Sequence, residues 1–288
     1  MSEGRAGDSR TAGANGLIGG TPAPGLHVMS YNVRRIIRGV RHGSPDFWPG
    51  RRELVSRLLR AESPSILGVQ EAMASQATAI SGMLPGYKRI GHGRNADGRG
   101  EGCPVFYDPE RVRLERWSQL ALSPTPLRQG SRGWGNMVPR VAVLADFVDR
   151  DTGDSLTMIN THFDHLSKRS RVRSAEMIAG MVTAAEWPAI VMGDFNTAPG
   201  TPPYRVLLES GLRDTWVIAA ERRGHDGGTY SGFKAPNSRG RRIDWLLATP
   251  DLSVSIAAIN AARYGGRAPS DHEPVQAVVT AGTGRQVR

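Results

Sequence analysis

A series of side chains suited to metal and phosphate chemistry stands at the ends of apolar runs in this sequence. Asn32 follows Val28-Met29-Ser30-Tyr31, Glu71 follows Ile66-Leu67-Gly68-Val69-Gln70, and His162 follows Met158-Ile159-Asn160-Thr161. Asp194 and Asn196 come after Ile190-Val191-Met192-Gly193, Asp244 sits inside Ile243-Asp244-Trp245-Leu246-Leu247, and Asp271-His272 precedes the last apolar run. Carboxylate and amide oxygens are hard donors of the kind that hold Mg²⁺, and histidine is the side chain that moves protons near neutral pH. Singly, each has a structural reading. Asp194-Phe195-Asn196 fits an Asx turn, Asn32 a loop cap, Ser270-Asp271 a turn start, Glu71 the first turn of a helix, and His162 a core position. As a set at successive strand ends they call for a common cause, because strand ends in an α/β fold converge on one edge where ligands bind.

The elements that must position them are strands alternating with helices, which argues for one α/β domain. Strands are expected at 27–33, 65–70, 87–90, 105–107, 111–122, 140–148, 156–161, 189–193, 243–248, 253–259 and 274–280. Pro49 opens a helix over 51–60, where Leu54, Val55, Leu58 and Leu59 recur at helical spacing. A second helix follows Glu71, and the longest runs over 170–186. The strands at 87–90, 105–107 and 111–122 read as antiparallel neighbours, with Pro104 marking an edge or bulge. Asp151-Thr152-Gly153-Asp154 turns a hairpin between 140–148 and 156–161. Residues 1–25, rich in Gly, Ala and Pro, read as a disordered tail, 26–281 as the domain and 282–288 as a C-terminal tail.

The chain has 288 residues and a formal net charge of +10, which favours phosphate-rich partners. Among its 37 basic residues only Lys88, Lys168 and Lys234 are lysines, and such arginine-heavy usage equally fits a GC-rich coding sequence. The single cysteine, Cys103, excludes an internal disulfide and a zinc finger. There is no apolar run long enough to span a membrane and no secretory h-region near Leu17-Ile18, so a cytoplasmic monomer is expected.

The segments Met29-Ser30-Tyr31-Asn32, Gly68-Val69-Gln70-Glu71, Asn160-Thr161-His162, Gly193-Asp194-Phe195-Asn196, Arg242-Ile243-Asp244 and Ser270-Asp271-His272-Glu273-Pro274-Val275 together resemble the ordered motifs of the endonuclease/exonuclease/phosphatase family. The resemblance implies a four-layer α/β sandwich of two mixed sheets packed face to face with helices outside. It implies hydrolysis of a phosphoester by an activated water, with Mg²⁺ as cofactor and Mn²⁺ as substitute. Glu71, Asp271 and Asn32 would hold the metal. His272, oriented by Asp244, would be the general base, with Asp194 as the other candidate. Asn196 would help hold the water and polarise the phosphate, and His162 would bind a phosphoryl oxygen or assist the leaving group.

Two functions follow. The first is a phosphodiesterase or nuclease with RNA or DNA as partner, for which Trp134 amid Arg128, Arg132 and Arg140 is a candidate stacking platform. The second is a phosphatase or phospholipase C-like hydrolase acting on inositol phosphate or sphingolipid headgroups. Arg34 and Arg140 are either phosphate clamps or solvated surface charges, and Asp164 and His165 either touch substrate or cap the next helix.

Overall fold

The computed structural model describes residues 16–281. Its elements, in chain order, are β1 (Leu26–Asn32), α1 (Trp48–Glu62), β2 (Ile66–Gln70), α2 (Ala74–Met83), β3 (Lys88–Ile90), β4 (Val105–Tyr107), β5 (Val112–Ala121), β6 (Val141–Asp149), β7 (Ser155–His162), α3 (Lys168–Ala184), β8 (Ala189–Asp194), α4 (Pro202–Glu209), β9 (Arg213–Asp214), α5 (Thr215–Ile218), β10 (Glu221–Gly224), β11 (Asp244–Ala248), β12 (Leu252–Ile259) and β13 (Val275–Ala281). They form a seven-stranded sheet in the order β10-β12-β13-β1-β2-β4-β3 and a six-stranded sheet in the order β5-β6-β7-β8-β11-β9. Both are mixed: β1 and β2 run parallel while β1 and β13 run antiparallel, and β7 and β8 run parallel while β8 and β11 run antiparallel.

Alternation along each strand sends one set of side chains inward and the other outward. Val28, Ile66, Val105, Met158, Ile190 and Leu246 meet between the sheets. Met29, Tyr31, Leu67 and Phe106 take the opposite face of the first sheet and are covered by Val55, Leu58 and Leu59 of α1 and Ile80 of α2. On the outer face of the second sheet, Ile159, Val191 and Trp245 pack under Ile178 and Val182 of α3 and Leu207 of α4. The expected four layers are present.

One polar side chain crosses the apolar middle layer. Asn160 of β7 places its amide nitrogen within 3.0 Å of the Val69 and Cys103 carbonyls and 3.2 Å of that of Pro104, while its oxygen accepts from Gln70 Nε2 at 2.7 Å. This ties the second sheet to β2 and to the lead-in of β4 at one height. Gly68 makes the approach possible, since a Cβ there would stand 2.8 Å from Asn160 Cγ and 2.4 Å from Met192 Cε.

Several expectations change. β5 does not join β3 and β4; it pairs with β6 at the edge of the other sheet. Pro104 marks neither edge nor bulge, since β4 lies inside its sheet between β2 and β3, and the Pro104 carbonyl still accepts from the Val69 N–H. The tail expected over 1–25 is docked from residue 16 onward, whereas 1–15 and the C-terminal tail 282–288 lie outside the described residues. The anchor is Glu62, 1% exposed, whose carboxylate accepts the N–H groups of Leu17 (2.7 Å), Ile18 (3.1 Å) and Gly19 (3.2 Å) and the Asn260 amide (2.6 Å). The buried His27 ring continues the contact, bonded to the Gly19 carbonyl and to Gln276 Oε1.

Deleting residues 1–24 removes three donors from a buried carboxylate. It should cost about 2 kcal/mol or more, a fall in Tm of roughly 4–8 °C for a domain of this size. Glu62→Gln should then destabilise the truncated chain less than the full one, because the two changes share one interaction. Thermal denaturation of the four proteins checks this; an unchanged Tm on truncation contradicts it.

Candidate active site

Strand register assembles the site. Across the second sheet His162 is the Cα partner of Asp194, and Asp194 is the partner of Asp244, so three functional side chains occupy one row over β7, β8 and β11. From the first sheet come Asn32 at the end of β1, Glu71 one residue past β2, and Asp271-His272 just before β13. The residue after each member of the row locks it from behind. Phe195 stacks on Trp245 at 4.4 Å between centroids, and Phe163 meets Phe195 edge-on at 4.9 Å. Glu71 (φ 63°), Asn196 (φ 51°) and Arg34 (φ 55°) hold left-handed backbone, a strain on the order of 1–3 kcal/mol each that is typical of functional positions.

His272 Nδ1 lies 2.9 Å from Asp244 Oδ2, and its Nε2 lies 3.8 Å from Asp194 Oδ2. Burial alone would lower the His272 pKa, but the two flanking carboxylates outweigh it and hold the ring well above its usual value, as an imidazolium. Asp194 goes the opposite way from an ordinary carboxylate: burial, reinforced by the charge of Asp244, pushes it up to about 7. Its Oδ1 accepts the Asn196 N–H at 2.9 Å and its Oδ2 accepts Asn32 Nδ2 at 3.0 Å. His162 is kept neutral by burial and by the guanidiniums of Arg140 and Arg94. With Asn196 Nδ2 donating to its Nε2 at 3.0 Å, the proton of that ring sits on Nδ1.

The groups border a cleft of about 590 Å³. Glu71, His162 and Asp194 each offer a ligand atom within 4.8 Å of the others, as do Asp194, Asp244 and His272. In the second trio, His272 Nδ1 is engaged by Asp244 at 2.9 Å. In the first, His162 Nε2 is engaged by Asn196, which leaves the oxygens of Glu71 and Asp194. Asp271 faces the same cleft, and burial together with the charge of Glu71 raises its pKa. Desolvated carboxylates that repel one another and offer oxygen ligands fit a hard divalent cation.

Not every expected residue plays the expected part. The oxygen of Asn32 accepts the Arg34 N–H at 3.0 Å, while its nitrogen donates to Glu71 and Asp194, so it aligns the two acids. Arg34 is tied to Asp46 at 3.0 Å and lies 3.6 Å from Asp271, so it is held at the cleft wall and is no free surface charge. Asp164 is withdrawn from the cleft: 1% exposed, it accepts the N–H groups of Leu166 and Ser167 and the Nε of Arg140. Arg140 is buried rather than solvated. Trp134 is half-buried, packed against the outer core of the second sheet, with its carbonyl bonded to Ser167. Sequence reasoning passed over Arg51, fully buried and donating to the carbonyls of Val33, Arg34 and Pro269, which fixes both loops beside the site. It also passed over Tyr230, which packs edge-on to His272 at 5.0 Å. Arg51 sits in the first turn of α1, where an arginine reads as an exposed polar position, and Tyr230 is a lone loop residue, so no periodicity marks either.

Residues 29–272 match the profile of the Endonuclease/Exonuclease/phosphatase family. Among solved structures, a family protein from Bacteroides vulgatus is 29% identical with a TM-score of 0.83, covering 89% of this chain and 99% of that one. A mannosyl-6-phosphatase from Bacteroides thetaiotaomicron is also 29% identical, with a TM-score of 0.79 and coverage of 88% and 99%. The human Nocturnin catalytic domain, 19% identical with a TM-score of 0.66 over 90% and 94% of the two chains, shares the fold.

Adding Mg²⁺ or Mn²⁺ should raise the Tm, since a ligand of the folded state alone stabilises it. Asp194 is protonated below about pH 7, so the cluster loses negative charge as pH falls and the increment should be larger at pH 8 than at pH 6. Glu71→Gln should abolish most of it. Equal increments at both pH values, or an increment that survives Glu71→Gln, would place the cation elsewhere.

Proposed function

The chain belongs to the endonuclease/exonuclease/phosphatase family and is a phosphoester-hydrolysing enzyme, and on that premise we propose that it is a Mg²⁺-dependent phosphatase acting on small phosphorylated molecules. The observation that carries this reading is the placement of His272 between Asp244, 2.9 Å from its Nδ1, and Asp194, 3.8 Å from its Nε2, at the edge of a cleft of small-ligand size.

Glu71 and Asp271 would hold the metal, which supplies neutralisation of the phosphoryl charge. Asp194 accepts the proton of the attacking water: an acceptor with a pKa near 7 is largely deprotonated at working pH yet basic enough to take a proton. The flanking carboxylates raise the proton affinity of His272, which favours a part as a cation beside the charge that develops on the phosphoryl oxygens, with Asp244 holding its orientation. Asn196 sets the tautomer of His162, which leaves a neutral ring in the wall next to the reacting centre. Of the two candidates for the base, this electrostatic arrangement favours Asp194.

The likeness to a mannosyl-6-phosphatase supports a sugar phosphate as the substrate, and the partial burial of Trp134 and full burial of Arg140 count against a stacking platform for single-stranded nucleic acid. The net charge of +10 keeps the nuclease reading as the alternative outcome of one experiment. Phosphate release from mannose 6-phosphate and glucose 6-phosphate should exceed cleavage of single-stranded RNA, poly(A), DNA or sphingomyelin, and EDTA should abolish it. A preference for any polymer or lipid would reverse the assignment.

kcat/KM should rise with pH and level off above about 7 as Asp194 loses its proton. Asp244→Asn and His272→Ala should each lower kcat by roughly 10²-fold. The double variant should be scarcely worse than the worse single one, because the two residues act as a unit. Multiplicative losses would show that the pair is uncoupled.

A further inference from the structure

Arg140 is 3% exposed, with Nε on Asp164 Oδ2 at 3.3 Å and Nη2 at 3.0 Å from His165 Nδ1, while its Nη1 has no partner. A buried N–H group left unmade is costly, and more so on a charged group. This guanidinium lines the cleft together with Arg94 and Glu101, and the void enclosed between these groups, Cys103 and His162 is only about 10 Å³, the room of a single water. Arg94 enters from the loop between β3 and β4, its Nη1 on Glu101 Oε2 at 2.8 Å. Glu101 also meets Arg35 Nε at 3.4 Å, so one carboxylate serves two guanidiniums. Positive charge is therefore in excess on this wall of the cleft, in contrast to the acid-rich wall of Glu71 and Asp271.

His162 is the shared neighbour of the two regions. Its Nε2 stands 3.5 Å from Asp194 Oδ2, and Arg140 and Arg94 are the charges that keep it neutral. The excess positive charge thus lies one side chain away from the reacting centre. Planar guanidiniums with unused N–H groups are the preferred partners of phosphoryl oxygens.

We propose that Arg94 and Arg140 form a second anion subsite, and that the substrate carries a second phosphoryl group on the part of the molecule that leaves. This rests on the phosphatase reading above and narrows it to bisphosphorylated small molecules. The second phosphoryl group sits in the cleft against Arg94, competing with Glu101 for its guanidinium, and the buried Arg140 adds positive charge behind it, while the first is hydrolysed at Asp194 and His272.

Titration calorimetry with glucose 6-phosphate and glucose 1,6-bisphosphate in Mg²⁺ reads this subsite whether or not either compound is turned over, so its failure and failure of the hydrolase reading are separate results. The bisphosphate should bind at least about tenfold more tightly to the wild-type chain. Arg94→Ala should erase most of that advantage, and Arg94→Lys, which keeps the charge without the planar fork, should restore part of it. Thermal denaturation of both variants verifies folding. Equal affinity for the two compounds in the wild type overturns the proposal even if a variant fails to fold. An advantage that persists in Arg94→Ala, or a loss that is equal for both compounds, overturns it as well, the last by assigning Arg94 to the reacting phosphate.

Discussion

Two carboxylates share one imidazole in a place that water barely reaches, and the rest of the site is arranged around that fact. Asp194 and Asp244 face each other across an antiparallel pair, so strand register alone fixes their proximity. Their mutual repulsion in a desolvated setting is relieved on one side by protonated His272 and raises the proton affinity of Asp194 on the other. The reactive character of both groups comes from their juxtaposition, since an isolated aspartate would be too weak a base and an isolated histidine neutral.

His272 belongs to one sheet and both carboxylates to the other, so the arrangement survives only if the sheets keep their relative height. The Asn160 amide, bonded to backbone carbonyls on the opposite sheet, provides that registration, and Gly68 leaves room for it. Packing completes the support: Phe163, Phe195 and Trp245, each following a member of the functional row, form an aromatic file on the outer face. Polar atoms thus line one side of the row and apolar contacts the other. Gly193 belongs to the same design. With φ 153°, its absent Cβ would stand 2.0 Å from the Thr161 carbonyl, so the strand that delivers Asp194 approaches its neighbour where no side chain fits.

Much of this was legible in the sequence because strands buried on one face alternate and because the polar residue ending each apolar run is conspicuous. Asn32, Glu71, His162, Asp194, Asp244 and His272 all converge on the cleft as their positions suggested. Roles were less legible than places, since a role depends on which atom faces which partner: Asn32 turns its nitrogen to the acids, and Asp164 turns away to Arg140. Residues 202–224 gave no clear signal. Pro202 and Pro203 suit the first helical turn, where an N–H needs no partner, and there they open α4. β9 and β10 are too short to show alternation. The docked segment around Leu17–Gly19 is held through backbone N–H groups to Glu62, an interaction to which its side chains contribute no pattern.

The most direct test of this account is the titration of the two histidines, followed by ¹⁵N NMR of the imidazole rings in the metal-free protein. His272 should lose its proton at a pH well above that of a free imidazole, and His162 should gain one only well below it, with its neutral form protonated on Nδ1. A His272 that titrates at or below the free imidazole value would contradict the account, because the carboxylates would then not govern the ring and the proton-accepting role would pass from Asp194 to His272.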